Sequence, residues 1–263
     1  MCRESGLTLI HPTAIIDKKA IIGNNTSIGA YSVISADVVI GDNCKIGPHV
    51  VIKGPTRIGN NNQILQFASV GEDPQDKKYA GEPTELHIGD NNLIREFVTI
   101  NRGTAQDRGL TSIGNDNWIM SYVHIAHDCD VGNHTIFSNS ASLAGHVTIQ
   151  DHAILSGFTL VHQFCSVGEH AFTGMNSVIA KDVPPYILVS GHMAHPHGLN
   201  SEGLKRRGFS PQSISDLKKA YKLFYRSGLS LEQACEQIAD MSSDENVDKF
   251  IQFIRQSKRG ILR

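Results

Sequence analysis

The chain has 263 residues, 40% of them apolar, which is enough to bury a core and excludes wholesale disorder; a net charge of −2 lacks the basic excess of a dedicated nucleic-acid binder. Five scattered cysteines (Cys2, Cys44, Cys129, Cys165 and Cys235), odd in number and without a CxxC pair, exclude a disulfide framework or zinc ribbon and point to reduced thiols. The segment MCRESGLTLIHPTAIID has no uninterrupted apolar region of a signal peptide and no later run reaches membrane-span length, so a cytoplasmic protein without stable membrane insertion is expected.

From Ile10 onward an aliphatic residue recurs every sixth position: Ile16, Ile22, Ile28, Ile34, Ile40, Ile46, Ile52, Ile58, Ile64 and Val70. The register resumes at Ile88, Ile94 and Ile100. It restarts at Ile113 and runs through Ile119, Ile125, Val131, Phe137, Leu143, Ile149, Leu155, Val161, Val167 and Thr173 to Ile179. Glycine often follows the aliphatic residue (Gly23, Gly41, Gly59, Gly89, Gly114) and Asn or Asp comes next. Both are read as residues that tolerate φ > 0 at a tight corner. One inward aliphatic, a short strand and a sharp corner per six residues describe one face of a three-faced parallel β-helix. Three faces make a coil of eighteen residues, and coils stack at strand spacing, about 4.8 Å.

Two segments break the period. GEDPQDKKYAGEPTELH (71–87) puts Asp76 and Glu82 where aliphatics fall, and NRGTAQDRGLTS (101–112) shifts the register by one residue. Both are expected to loop out, and loops on a rigid scaffold are where substrate contacts gather. After KDVPP (181–185) the hexad ends. Ser210 followed by Pro211 reads as a helix start, Ser230-Leu-Glu-Gln233 as a capping box, and Asn246 to Ser257 as a third helix with Val247, Phe250, Ile251 and Ile254 inward. The expected domains are therefore 1–190, the β-helix, and 191–263, a small helical domain covering its end.

A coil of eighteen places i and i+18 one above the other. His127, Gly145 and Gln163 then share a column, flanked by His146 and His162. His11, His49, His134, His152 and His170 read as solvated corner residues. The cluster around His127 supports three readings. It is polar decoration with no chemistry; or His124 and His127 begin a metal site, as in β-helical carbonic anhydrases, although Gly145 brings no ligand to that column. Or His127 is a general base oriented by Asp128, with the Gly145 N–H stabilising an oxyanion.

The segments QFASVGEDPQDKKYAGEPT, VHIAHDCDVGN, LAGHV, LVHQFCSVG, DVPPY and NSEGLKRRGFS, in this order, resemble the UDP-N-acetylglucosamine O-acyltransferases along essentially the whole chain. The resemblance implies a mainly β fold, a left-handed parallel β-helix of hexapeptide repeats followed by a C-terminal helical domain. It implies transfer of an (R)-3-hydroxyacyl group from acyl carrier protein to the 3-hydroxyl of UDP-N-acetylglucosamine, the first step of lipid A biosynthesis. No metal and no cofactor are implied. By the same resemblance His127, Asp128 and Gly145 are catalytic, and Gln75, Asp76, Lys78, His124, His146, His162 and Gln163 line the sugar-nucleotide and acyl cleft. Asn200, Glu202, Arg206 and Arg207 reach the uridine and phosphates, where an Arg fork suits a diphosphate. The family is a homotrimer with sites between subunits, so Lys78 is expected to serve a neighbour's site, and Lys205, Lys218, Lys219 and Lys222 offer a basic face to an acidic carrier. Asn101 stands where relatives often carry His and is given no role. Met175 stands where some relatives have Gly at the end of the acyl groove, so a chain of about ten carbons is expected, the limit being steric. The rival readings are an N-acyltransferase of the same pathway, which is expected to carry an additional N-terminal domain, and a carbonic-anhydrase-like metal protein.

Overall fold

The computed structural model describes residues 10–263; Cys2 and the start of the leader reading lie outside the described residues. The chain divides into two compact units, Met1–His134 and Thr135–Arg263.

In the first unit nearly every hexad aliphatic ends a short strand, most of only two residues; Val70 and Ile100, beside the interruptions, lie inside theirs, and three parallel ladders result. One ladder runs Ile15–Ile16, Val33–Ile34, Val51–Ile52, Ser69–Glu72, Thr99–Asn101 and His124–Ile125. A second runs Ile21–Ile22, Val38–Ile40, Thr56–Ile58, Glu85–Ile88, Leu110–Ile113 and Asp130–Val131. A third runs Ser27–Ile28, Lys45–Ile46, Gln63–Ile64, Leu93–Ile94 and Trp118–Ile119. Ile34 pairs with Ile52 and Ile28 with Ile46, so the coil of eighteen is the register of the sheet. Ile28, Ile34, Ile40, Ile46, Ile52 and Ile58 are all buried, making one aliphatic column per ladder.

The predicted corner chemistry needs correcting. Gly23, Gly41, Gly59, Gly89 and Gly114 are not in the left-handed region; of the glycines that follow a hexad aliphatic in this unit, Gly71, at the start of the first interruption, is the one that is, at φ 78°. That region holds the third residue after the aliphatic, whatever its size: Asn25, Tyr31, Asp37, Asn43, His49, Asn61, Phe67, Phe97 and Tyr122 all have φ between 55° and 65°. The glycines answer a different demand. A Cβ on Gly23, Gly41, Gly59 or Gly89 would lie 2.4 to 2.8 Å from the backbone of the glycine one coil on. The Asx beside each glycine is equally specific. Asp42, Asn60, Asp90 and Asn115 each accept, through a side-chain oxygen, the backbone N–H of the equivalent residue one coil earlier, at 2.6 to 2.9 Å. Gly-Asx is thus a stacking pair: one residue lets the coils touch and the other satisfies a donor exposed by that contact. Among the buried groups the direction reverses: Asn62 Oδ1 accepts the Asn92 N–H one coil on at 2.8 Å, and Asn92 Oδ1 accepts the Asn117 N–H at 3.0 Å.

Both interruptions are extruded, with strand retained at their edges. Val70 pairs with Ile100, thirty residues on, and Ile100 with Ile125, twenty-five on. The first insertion is 73–84, because Gly71 and Glu72 stay in strand Ser69–Glu72 and residues 85–87 in strand Glu85–Ile88; the second is 102–109. Both leave the same corner, between the first and second ladders, in consecutive coils. In the next coil that corner carries no insertion and consists of Ala126, His127, Asp128 and Cys129.

In the second unit the same rules produce the ladders Ser142–Leu143, Leu160–Val161, Val178–Ile179 and Thr148–Ile149, Ser166–Val167. The remaining ladder, Ile136–Phe137, Ile154–Leu155, Phe172–Thr173, Ile187–Ser190, ends on an antiparallel strand, His195–Leu199. Four helices follow where three are predicted: α1 (Ser201–Arg206), α2 (Pro211–Arg226), α3 (Leu231–Met241) and α4 (Glu245–Gln256). The additional one, α1, is too short to show a period; Asn200 caps it, accepting from Gly203 N. Ser210 caps α2 with Pro211 at its first position, and the Ser230–Gln233 capping box on α3 forms in both directions. Asp182 joins the last hexads to the C-terminal segment, accepting from Ser257 Oγ at 2.6 Å. The corner histidines His49, His134, His152 and His170 all have left-handed φ, as their corner placement requires. His170 is less solvated than predicted: it stacks on His152 at 4.6 Å and meets Phe209 edge-on, and burial first, then the His152 charge, pulls it down to about 4.

Gly41→Ala tests the stacking rule, since its Cβ meets Asn60 Oδ1 at 2.6 Å and Gly59 C at 2.7 Å. Overpacking of this kind costs about 1–3 kcal/mol, and each kcal/mol lowers Tm by about 2–4 °C. Thermal unfolding followed by circular dichroism reads the shift; an unchanged Tm contradicts the rule.

Candidate active site

Asp128 is the least exposed charged group of the first unit's corner: its carboxylate has no exposed side-chain surface, and its residue holds φ at 59°. Three donors converge on it. Oδ2 accepts from His127 Nδ1 at 2.8 Å and from Thr104 Oγ1 at 2.7 Å, and Oδ1 accepts from Thr104 N at 2.8 Å. Its own N–H donates to Thr111 Oγ1 at 2.8 Å. A buried carboxylate ringed by donors is an acceptor, so His127 carries its hydrogen on Nδ1 and presents its lone pair on Nε2. The His127 side chain is 13% exposed, shielded yet reachable. His124 stands on the strand before it, its Nδ1 on Thr99 Oγ1 at 2.7 Å. Desolvation, then the His127 charge, lowers the His124 pKa, which favours a neutral ring.

Gln75, Asp76 and Lys78 lie together on the first insertion, Gln75 and Lys78 exposed, with Asp76 Oδ1 accepting from Lys78 N at 3.0 Å. What holds this insertion was not legible in the sequence. Arg102, buried, donates to the Gly71 carbonyl and to Asp73, and to Tyr79 Oη at 3.2 Å. Asn101, given no role above, is also buried, and its Nδ2 donates to the Asp73 carbonyl at 2.8 Å. Thr104, Arg102 and Asn101 are the residues that sequence reasoning missed. Their only signal was their place at the start of the register shift.

In the second unit Gly145 is buried; its carbonyl accepts from Phe164 N at 3.1 Å, and its N–H meets no acceptor among the described residues. His146, at φ 63°, stacks on Phe164 with centroids 4.4 Å apart. His162 and Gln163 are exposed, and Arg259 Nη2 approaches His162 Nδ1 at 3.2 Å. Asn200 is committed within the chain at both ends of its amide, accepting from Gly203 N and donating to the His170 carbonyl at 3.0 Å. Glu202, in the first turn of α1, is exposed and paired with Lys205 at 2.7 Å, and that partner lowers its pKa. Arg206 and Arg207 are exposed at the end of α1. Met175 is 74% exposed. It therefore fills no volume inside this chain.

Parallel hexad ladders are the repeat of the bacterial hexapeptide transferases, and the model of that repeat, "Bacterial transferase hexapeptide (six repeats)", matches residues 19–54 and 110–145. The model "Udp N-acetylglucosamine O-acyltransferase; Domain 2" matches residues 182–262. An acyl-[acyl-carrier-protein]–UDP-N-acetylglucosamine O-acyltransferase of Thiobacillus denitrificans is 61% identical, over 98% of this chain and all of its own length. Among solved structures, LpxA of Acinetobacter baumannii is 50% identical, with a TM-score of 0.95 over 97% of this chain and 100% of that one. The Francisella novicida UDP-N-acetylglucosamine acyltransferase is 47% identical, also at 0.95, over 97% and 94%. The chain belongs to the acyl-[acyl-carrier-protein]–UDP-N-acetylglucosamine O-acyltransferase family. Its fold is the left-handed parallel β-helix with a helical C-terminus.

Burial sets the expected behaviour of His124. A nuclear magnetic resonance titration of its imidazole should give a midpoint below that of a solvated histidine, about 6.5. A midpoint at or above that value contradicts the burial argument.

Proposed function

We propose that the chain moves an (R)-3-hydroxyacyl group from acyl carrier protein to the 3-hydroxyl of UDP-N-acetylglucosamine, the first step of lipid A biosynthesis. The observation that carries this reading is the 2.8 Å contact between His127 Nδ1 and a buried Asp128, in a chain 61% identical to an enzyme named for that reaction. His127 Nε2 takes the proton of the sugar hydroxyl as its oxygen attacks the thioester carbonyl. The tetrahedral oxyanion is assigned to the Gly145 N–H. Collapse breaks the carbon–sulfur bond, and the proton on His127 passes to the departing thiolate. Asp128 holds the ring in the productive tautomer and stabilises the imidazolium between these two transfers.

Gln75, Asp76, Lys78, His124, His146, His162 and Gln163 line the cleft for sugar and acyl chain in this proposal. Glu202, Arg206 and Arg207 meet the uridine and phosphates, with Asn200 positioning the turn that carries them. The active form is a homotrimer with sites between subunits; the exposure of Lys78 and Met175 supports this, since each points its surface away from its own chain. In this proposal the enzyme works in the cytoplasm, beside its carrier protein. Among the described residues no helix is long and apolar enough to cross a membrane.

Incubation with UDP-N-acetylglucosamine and a mixture of hydroxyacyl carrier proteins, read by mass spectrometry, tests the reaction. A 3-O-acylated product with a chain of about ten carbons is expected; a clear preference for about fourteen overturns the role given to Met175. His127→Ala should lower turnover by about 10²–10⁴ with the fold retained. Retained activity removes His127 as the base. Mixing Lys78→Ala with His127→Ala subunits should restore part of the activity, and mixed trimers that stay inactive contradict a shared site.

A further inference from the structure

The two insertions and the catalytic corner occupy one edge of the first unit in three consecutive coils, and a single four-residue segment touches all of them. Asn101 and Arg102 grip the first insertion, through the Gly71 and Asp73 carbonyls, the Asp73 carboxylate and Tyr79 Oη. Arg102 N donates to the Glu72 carbonyl at 3.1 Å and Gly103 N to the Glu85 carbonyl at 3.2 Å, so the segment spans both ends of that insertion. Two residues further on, Thr104 gives both its N–H and its hydroxyl to Asp128. Thr104 is wholly buried, and its carbonyl accepts from Asp107 N and Gly109 N, which closes the second insertion into a tight turn. At Gly103 a Cβ would sit 2.2 Å from Leu110 N, so the segment passes too close to the far end of the second insertion for any side chain there.

We propose that Asn101–Thr104 is a strut that sets the base and the substrate loop together, with Thr104 a positioning residue for His127 and Arg102 a positioning residue for Gln75, Asp76 and Lys78. The Thr104 hydroxyl and the His127 ring share one oxygen, Asp128 Oδ2. The hydroxyl therefore fixes the direction of the lone pair left for Nδ1, and through it the aim of Nε2. A strut made only for stability would satisfy its own polar atoms. This one leaves Asn101 Oδ1 and Arg102 Nε buried without a hydrogen bond among the described residues, an arrangement with a cost of its own. Its bonds go to its neighbours first.

The inference rests on the reaction proposed above, and its kinetic signatures differ by residue. Thr104→Val keeps the shape and the backbone donor but removes the hydroxyl; kcat should fall about tenfold or more while KM for the sugar nucleotide stays within about twofold. Thr104→Ser should recover most of the loss. Arg102→Lys, which loses the planar fork, should raise that KM about tenfold with a smaller change in kcat. Wild-type kcat in Thr104→Val overturns the proposal. So does equal impairment of Thr104→Val and Thr104→Ser with a lowered Tm, which is the pattern of a purely structural residue, or an unchanged KM in Arg102→Lys. A readout without turnover keeps the strut separate from the reaction: the low-field proton resonance of the hydrogen-bonded His127 Nδ1–H should persist in Thr104→Ser and move or vanish in Thr104→Val. If that resonance behaves so while no acylated sugar forms, the reaction is wrong and the strut stands. If it is unmoved in Thr104→Val, the strut is wrong.

Discussion

The ladders depend on one coil lying directly on another at strand spacing. Parallel strands of two residues are too short to hold by themselves, so each coil depends on the backbone and side chains of its neighbours. Stacking at that distance excludes a Cβ where Gly41 faces Gly59, and it needs an acceptor for the N–H that the contact exposes, which Asn60 supplies to Asp42. It also puts the third residue after most of the aliphatics into a left-handed corner. Such corners point their side chains into rows, and Tyr31, His49, Phe67, Phe97 and Tyr122 stack there with centroids 4.9 to 5.3 Å apart.

The active-site chemistry is a local exception to this regularity. The corner that carries Asp37 in solvent carries Asp128 beneath an insertion, and the insertion is what turns a corner residue into a buried acceptor. Burial then does two things: it strengthens the charge-assisted contact to His127, and it makes the geometry of the three donors decisive. His124, desolvated on the adjoining strand, favours a neutral ring, which suits the substrate contact proposed for it beside His127 as the proposed base.

The period of six made the ladders legible, because a single inward aliphatic type repeats through buried columns and a slip would expose all of them. The pairing of Ile34 with Ile52 is the expected coil. The helix starts at Ser210 and Ser230 were legible for a local reason: capping is written in adjacent residues. The role of the glycines was misread because composition reveals tolerance of φ > 0 without revealing whether that tolerance is used. Of the site, His127 and Asp128 stood out as neighbours in the chain, whereas Thr104 and Arg102 did not. Their partners lie twenty-four and twenty-nine residues away, across an insertion whose path no period predicts.

The Gly-Asx pairs have a consequence for how such a chain can change. Each Asx serves the coil before it, so within the ladders length is quantised: a deletion that is not a full turn of the repeat leaves donors and acceptors facing the wrong residues along the whole remaining stack. The one corner where 73–84 and 102–109 emerge is exempt, since segments of different size leave and re-enter there without disturbing the pairing of Ile64 with Ile94 or Ile94 with Ile119. Within these coils, room for a change of chain length is thereby confined to one edge, while the ladders keep their register.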